Sequence, residues 1–192
     1  MHISPATKIT LLLISMLTMM SNVAIVTMLP HLNEHFEHIE NIELFSRLMI
    51  TLPSLAIALL SPFLGHLVYK IGKKRASVIA LILFSLFGTA GLYLQDIYNL
   101  LFSRFLFGIA IALLMIIATT LIGDYFKNEA RHKFMGTQSA FISIGGIMFI
   151  VGGGILSDID WRYPFGIYIL GLFVLAFVIK YLVEINTHEQ KE

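Results

Sequence analysis

The chain has 192 residues, of which 57% are hydrophobic and 13% charged, with a mean hydropathy of +0.84, a formal net charge of +1 and no cysteine. A soluble domain carries roughly a quarter charged residues, so these figures exclude an ordinary water-soluble globule and put the chain in a lipid bilayer. The missing thiols exclude a disulfide framework and a thiolate metal site, and the charge balance gives no support for a nucleic-acid partner.

Crossing about 30 Å of hydrocarbon takes about 20 apolar residues in a helix, because every backbone polar group must be satisfied within the segment. Six runs are long enough: Ile9 to Leu29, Leu48 to Val68, Ala76 to Leu94, Leu100 to Ile122, Phe134 to Leu156 and Tyr163 to Val183. No connection is long or polar enough to separate two domains, so residues 1–192 are predicted to form one six-helix transmembrane domain.

The first run competes with a signal peptide, whose apolar region is about 7 to 15 residues long. Here apolarity continues to Pro30, which favours a span. This run carries Ser15, Thr18, Ser21 and Asn22, and the first, second and fourth of these share a face at helical spacing. Such a stripe either lines a translocation path or hydrogen-bonds to a neighbouring helix, and the residues leave both open. Pro30 to Arg47 reads as the longest outer connection. His31, His35 and His38 recur there beside Glu34, and histidines at i and i+4 can chelate zinc, but the segment reads as solvated and no metal is expected.

Pro53 and Pro62 are predicted to bend the second helix by freeing backbone carbonyls. After it comes a basic loop, Gly65 to Arg75, with Gly65, Tyr69, Lys70, Gly72, Lys73 and Lys74. Its glycines allow a tight reversal, and its cations anchor that reversal in the cytoplasm. The same side of an even-numbered bundle holds Lys8, Arg75, Lys127, Arg131, Lys133, Lys180 and Lys191, whereas Arg47, Arg104 and Arg162 lie on or toward the other. Both termini are therefore expected to be cytoplasmic, in an inner or plasma membrane. Tyrosines and tryptophan prefer the headgroup level, and Trp161, Tyr93, Tyr98 and Tyr163 fall at outer ends, with Tyr69, Tyr125 and Tyr181 at inner ends. Only Tyr168 falls well inside a span.

Arg104 lies inside the fourth span, where a cation is costly. It either snorkels to the outer headgroups or faces a cavity, where it would act on substrate or on a proton path. Asp124, at the inner end of that helix and near Arg131, is a candidate member of a charge network with the basic loop. On the fifth helix Gly136, Gly145, Gly146, Gly152, Gly153 and Gly154 predict close helix packing, as does Gly108 on the fourth. Gln138 and Ser143 invite the same two readings as the stripe on the first helix. All acids lie in loops or at helix ends, so these spans offer no buried carboxylate as a proton relay. No phosphate-binding loop is present, so direct ATP use is not expected, nor is enzyme activity or a cofactor.

Three passages together resemble the major facilitator superfamily, specifically its N-terminal six-helix half. Gly65, Lys70, Gly72, Lys73 and Lys74 fit the family's pattern after the second helix, with Tyr69 where the family has Asp. Arg104, Gly108, Ala110 and Ala112 fit its fourth-helix pattern, and Gly153, Gly154, Asp158 and Trp161 to Phe165 its passage into the sixth helix. Where the family's antiporters carry Gly-Pro on the fifth helix, this chain has Phe149 and Ile150. The resemblance implies two inverted three-helix repeats and secondary transport of a small-molecule substrate by alternating access. It points to efflux of amphipathic or drug-like compounds, ion-coupled as in an antiporter, with the basic loop as a conformational clamp. It also implies a second six-helix half, from an identical chain or another polypeptide. The alternatives are a metabolite uptake carrier, or a truncated or split half that does not transport and serves as a membrane partner protein.

Overall fold

The computed structural model describes residues 3–184, apart from the side chains of 21–24. Six helices in it are long and apolar enough to cross a membrane. They are α1 (Pro5–His35), α2 (Ile42–Ile71), α3 (Lys73–Gly88) with a 3-10 extension Thr89–Leu92, α4 (Ile97–Tyr125), α5 (Asn128–Ile159), and α6 (Leu170–Tyr181) led in by a 3-10 segment Tyr163–Ile169. Local chemistry starts them: Ser4 accepts from the Thr7 N–H at 3.1 Å with Pro5 in the first turn of α1, and Asp96 accepts from the Asn99 N–H at 3.0 Å at the start of α4.

Three boundaries differ from expectation by six residues: the end of α1, the start of α2, and the start of α5, which lies at Asn128 and not at Phe134. Helix α1 does not stop at Pro30 but continues to His35, and α2 begins at Ile42, so the expected long outer loop shrinks to a turn over 36–41. Apolarity marks where hydrocarbon ends, whereas a helix extends into water as long as its carbonyls stay paired; a proline removes only one donor. The sixth span opens as 3-10 rather than α, and Lys191, among the expected cytoplasmic cations, lies outside the described residues.

Helix α2 packs on α4, α1 on α5, α3 on both α4 and α6, and α1 on α4 and α6. Exchanging α1 with α4, α2 with α5 and α3 with α6 maps this set of neighbours onto itself: the α2–α4 pair becomes α5–α1, and α3–α4 becomes α6–α1. Apart from the α1–α2 contact, which has no α4–α5 counterpart, this is the pattern of neighbours that two inverted three-helix repeats would give. Within this arrangement α4 is central, with 61% of its apolar window enclosed against 22% for α2 and for α5.

Small residues set the closest approaches. A Cβ on Gly108 would stand 2.6 Å from the Pro53 carbonyl oxygen and 2.7 Å from its Cα, so α4 meets α2 backbone to backbone. On α5 the buried ridge is Gly145, Phe149, Gly153 and Ser157, spaced by four and turned to α1. Gly145 sits under Met16, and a Cβ on Gly153 would stand 2.9 Å from the Thr27 hydroxyl. Gly154, expected to pack, is one residue off that ridge and has no neighbour within 4 Å of a Cβ position; Gly65 is equally open.

Gly108→Ala should therefore lower the thermal unfolding midpoint in detergent, by the equivalent of about 1–3 kcal/mol for overpacking, while Gly154→Ala leaves it unchanged or raises it. Equal midpoints for the two variants would contradict the assigned contacts.

Candidate transport site

The basic loop is almost wholly helical. Helix α2 runs to Ile71, α3 starts at Lys73, and Gly72 alone turns the chain, with φ +90° and ψ 148°, a conformation that L side chains rarely adopt. The Gly72 N–H still bonds the Val68 carbonyl at 3.1 Å, so the hinge costs no backbone pairing on that side. The Glu184 carboxylate lies against the position a Gly72 Cβ would take.

This hinge aims Lys73, in the first turn of α3, at Asp124, the penultimate residue of α4, and the two form an ion pair with both side chains largely shielded. Each charge sits at the unfavourable end of its own helix dipole, a cation at an N-terminus and an anion at a C-terminus; pairing across the two helices places each beside the opposite end of its neighbour. Tyr125 donates its hydroxyl proton to the Val183 carbonyl, which ties the end of α4 to the segment after α6. The ion-pair partner of Asp124 is thus Lys73. Arg131 is exposed and forms no ion pair among the described residues, because α5 starts at Asn128 and carries it away from α3. Tyr69 and Lys70 are exposed and Lys74 half-buried.

Arg104 neither snorkels nor faces an open cavity: its side chain is 0% exposed. Helix α3 passes at Gly88 into its 3-10 extension, where the regular pairing of its last four carbonyls changes and the Thr89 N–H is shared between Ser85 O and Phe87 O. Each finds a side chain. Ser85 O accepts from the Thr89 hydroxyl at 2.7 Å, Leu86 O from the Tyr93 hydroxyl at 2.8 Å, and Phe87 O and Gly88 O from Arg104 Nη2 at 2.8 and 2.9 Å. The rest of the guanidinium is clasped by aromatic faces, with ring centroids at 4.8 Å for Phe107, 4.9 Å for Phe165 and 5.6 Å for Tyr168. Among the described residues Nε and Nη1 have no hydrogen-bond partner and lie among these rings, with Tyr168 adding its polar hydroxyl to the enclosure.

On the α1–α5 seam, Gln138 donates to the Ser15 hydroxyl at 2.7 Å, and Ser15 donates to Leu11 O at 2.9 Å; Ser15 is buried. These two act as interhelical glue. Thr18, half-buried, bonds the Ser15 carbonyl at 2.7 Å, and the side chain of Asn22 lies outside the described residues.

A groove of about 330 Å³ opens between α2 and α4, formed by Ile57, Ser61, Met115, Ile116, Thr119 and Thr120. Ser61 donates to Ile57 O at 2.5 Å, Thr119 to Met115 O and Thr120 to Ile116 O at 2.8 Å each. With their protons committed to the helix, the hydroxyls present acceptor lone pairs over an apolar floor. The sequence reading missed this groove, although paired threonines in an otherwise apolar helix were a visible signal. At the end of the bundle opposite the Gly72 hinge, the helical continuation of α1 brings His31 to 3.6 Å from Asp158 and 3.9 Å from Glu34, with the His35 ring 5.0 Å from Trp161. Among the described residues no group of three or more such side chains could hold a metal.

The sequence profile of the Major Facilitator Superfamily matches residues 11–192. The chain belongs to this superfamily of membrane transporters. Multidrug resistance protein 2 of Bacillus subtilis is 32% identical over 138 residues, 68% of this chain and 34% of that protein. The quinolone resistance protein NorA of Staphylococcus aureus is 34% identical over 137 residues, 69% of this chain and 34% of NorA. The chain thus matches about a third of the length of these relatives. In fold it resembles the proton:xylose symporter XylE, solved with 6-bromo-6-deoxy-D-glucose, at a TM-score of 0.79 and 14% identity over 91% of this chain and 44% of the symporter. This superfamily chain is a multi-pass membrane protein and has the fold of one transporter half.

Arg104→Ala should lower the unfolding midpoint sharply, by the equivalent of about 3 kcal/mol, because the Phe87 and Gly88 carbonyls lose a buried donor and the three rings lose the group they enclose. Arg104→Lys should recover only part of it, since an ammonium lacks the planar fork that lies against the rings while bonding two carbonyls. An unchanged midpoint for Arg104→Ala would refute the capping role. Lys73→Gln and Asp124→Asn should each weaken the inner closure, with their double variant costing less than the sum, as a double-mutant cycle on the same midpoint will register.

Proposed function

We propose that this chain works as the N-terminal six-helix unit of a secondary exporter of small amphipathic, drug-like compounds. The observation that carries this reading is the identity of about a third, over two thirds of the chain, with two proteins named for multidrug and quinolone resistance. The likeness to a sugar symporter is one of fold and supports no sugar substrate.

The groove between α2 and α4 supports the substrate class. Its volume is at the lower end of the range for drug-sized sites, its floor is apolar, and its hydroxyl acceptors suit a molecule with an N–H or O–H donor on an apolar body. In this reading the Gly72 hinge and the Lys73–Asp124 pair form an inner clamp that holds α2, α3 and α4 together in one state of alternating access and loosens in the other. A second six-helix unit completes the cavity between halves. Coupling is to an ion gradient through a carboxylate of that second unit, since the acids of this one lie in the end turns of helices or in connections, none of them deep in a span. The membrane is the cytoplasmic one, with both termini inside, in keeping with the cations clustered at the inner ends.

The test is export of a fluorescent amphipathic amine from cells that make this chain together with a second half. The expected result is energised efflux that collapses with the proton gradient, and a several-fold rise in KM for Thr119→Val with Thr120→Val. Efflux no faster than from cells lacking the chain would overturn the proposal.

A further inference from the structure

A second cavity, of about 370 Å³, lies at the inner end between the start of α1, the α4–α5 connection and the first turns of α5. Its walls join two kinds of chemistry. Leu12, Phe126 and Phe134 make an apolar floor, the two phenyl rings stacked at 4.3 Å and 15° and each 8% exposed. Lys8 and Lys133 stand on its rim from different helices, Lys8 with its Nζ 5.9 Å from the Phe126 centroid.

Neither lysine forms an ion pair among the described residues, even though Glu129 stands four residues before Lys133 on the same helix. Lys127 and Arg131 flank the site, so the local charge is net positive. Two uncompensated cations above an aromatic floor, where spans meet the inner membrane surface, match a ligand with an anionic head and an apolar body. A soluble anion would satisfy the lysines and leave the floor unused. The cytoplasmic leaflet supplies both parts in one molecule, and basic pockets on that side are where anionic headgroups lodge. We propose that this pocket binds the phosphate headgroup of an anionic phospholipid, with Lys8 and Lys133 clasping the phosphate and the start of an acyl chain lying along Phe126, Phe134 and Leu12. The lipid would pin the start of α1 to the α4–α5 connection.

The experiment compares thermal unfolding of the purified chain in detergent with added phosphatidylglycerol, phosphatidylcholine or inorganic phosphate, and counts retained lipid by native mass spectrometry. Phosphatidylglycerol should raise the midpoint by several degrees over phosphatidylcholine and remain bound as one retained lipid. Millimolar phosphate should do neither. The Lys8→Gln, Lys133→Gln double variant should lose most of the difference, the Lys8→Arg, Lys133→Arg variant should keep it, and Arg75→Gln with Lys180→Gln, which removes two cations elsewhere on the inner surface, should keep it as well. An equal shift in the double Gln variant, an equal shift with phosphatidylcholine, or the same shift from inorganic phosphate would each overturn the proposal.

Discussion

The last four carbonyls of α3, where it passes into its 3-10 extension, take side-chain donors beside the backbone ones, and the arrangement of this unit follows from where those side chains come from. Thr89 and Tyr93 answer two of the four, from the connection that follows. Arg104 answers the other two from α4, and its guanidinium is held in turn by Phe107 of the same helix and by Phe165 and Tyr168 from the lead-in to α6. One buried cation therefore joins α3, α4 and the start of α6. Removing that charge from water is expensive, and it is tolerated because the carbonyl dipoles and ring faces replace much of its hydration.

The end of the unit that holds the Gly72 hinge solves a related problem with a less deeply buried charge pair. At the Gly72 hinge, two helices meet with dipole ends of opposite sign, and the crossed Lys73–Asp124 pair serves both. Its side chains are largely shielded but not sealed as Arg104 is. The Arg104 cap and the Lys73–Asp124 pair thus join different elements at different degrees of burial: the first links α3, α4 and the lead-in to α6, the second links the start of α3 to the end of α4. Between them the exposed groove on α2 and α4 carries hydroxyls and no formal charge.

Six spans, their order and the family were legible in the sequence because hydrocarbon thickness imposes a length on apolar runs and because the glycines and cations of the motifs sit at fixed helical positions. The ends of α1 and α2 were not, since apolarity tracks the lipid and not the helix, and Pro30 removes one donor without stopping the turn. Arg104 stood out as a charge in a span, and Tyr168 as a tyrosine in a span; the structure brings the two oddities together, each explaining the other. Its partner carbonyls were invisible, because a backbone acceptor has no residue signature. The Lys73–Asp124 pair spans 51 positions of sequence, and Arg131 was the nearer cation in sequence only. Gly153 and Gly154 show how fine the limit is: one lies on the ridge against α1 and its neighbour points away.

The central claim is that Arg104 is sealed into the unit as a cap and does not face a water-filled path. Phenylglyoxal labelling of the folded protein in detergent, read by peptide mass mapping, tests it within one sample, since Arg47, Arg75 and Arg131 are exposed and serve as internal references. The account predicts that those three are modified while Arg104 stays unlabelled until the protein is unfolded. Modification of Arg104 at the rate of the exposed arginines would contradict it.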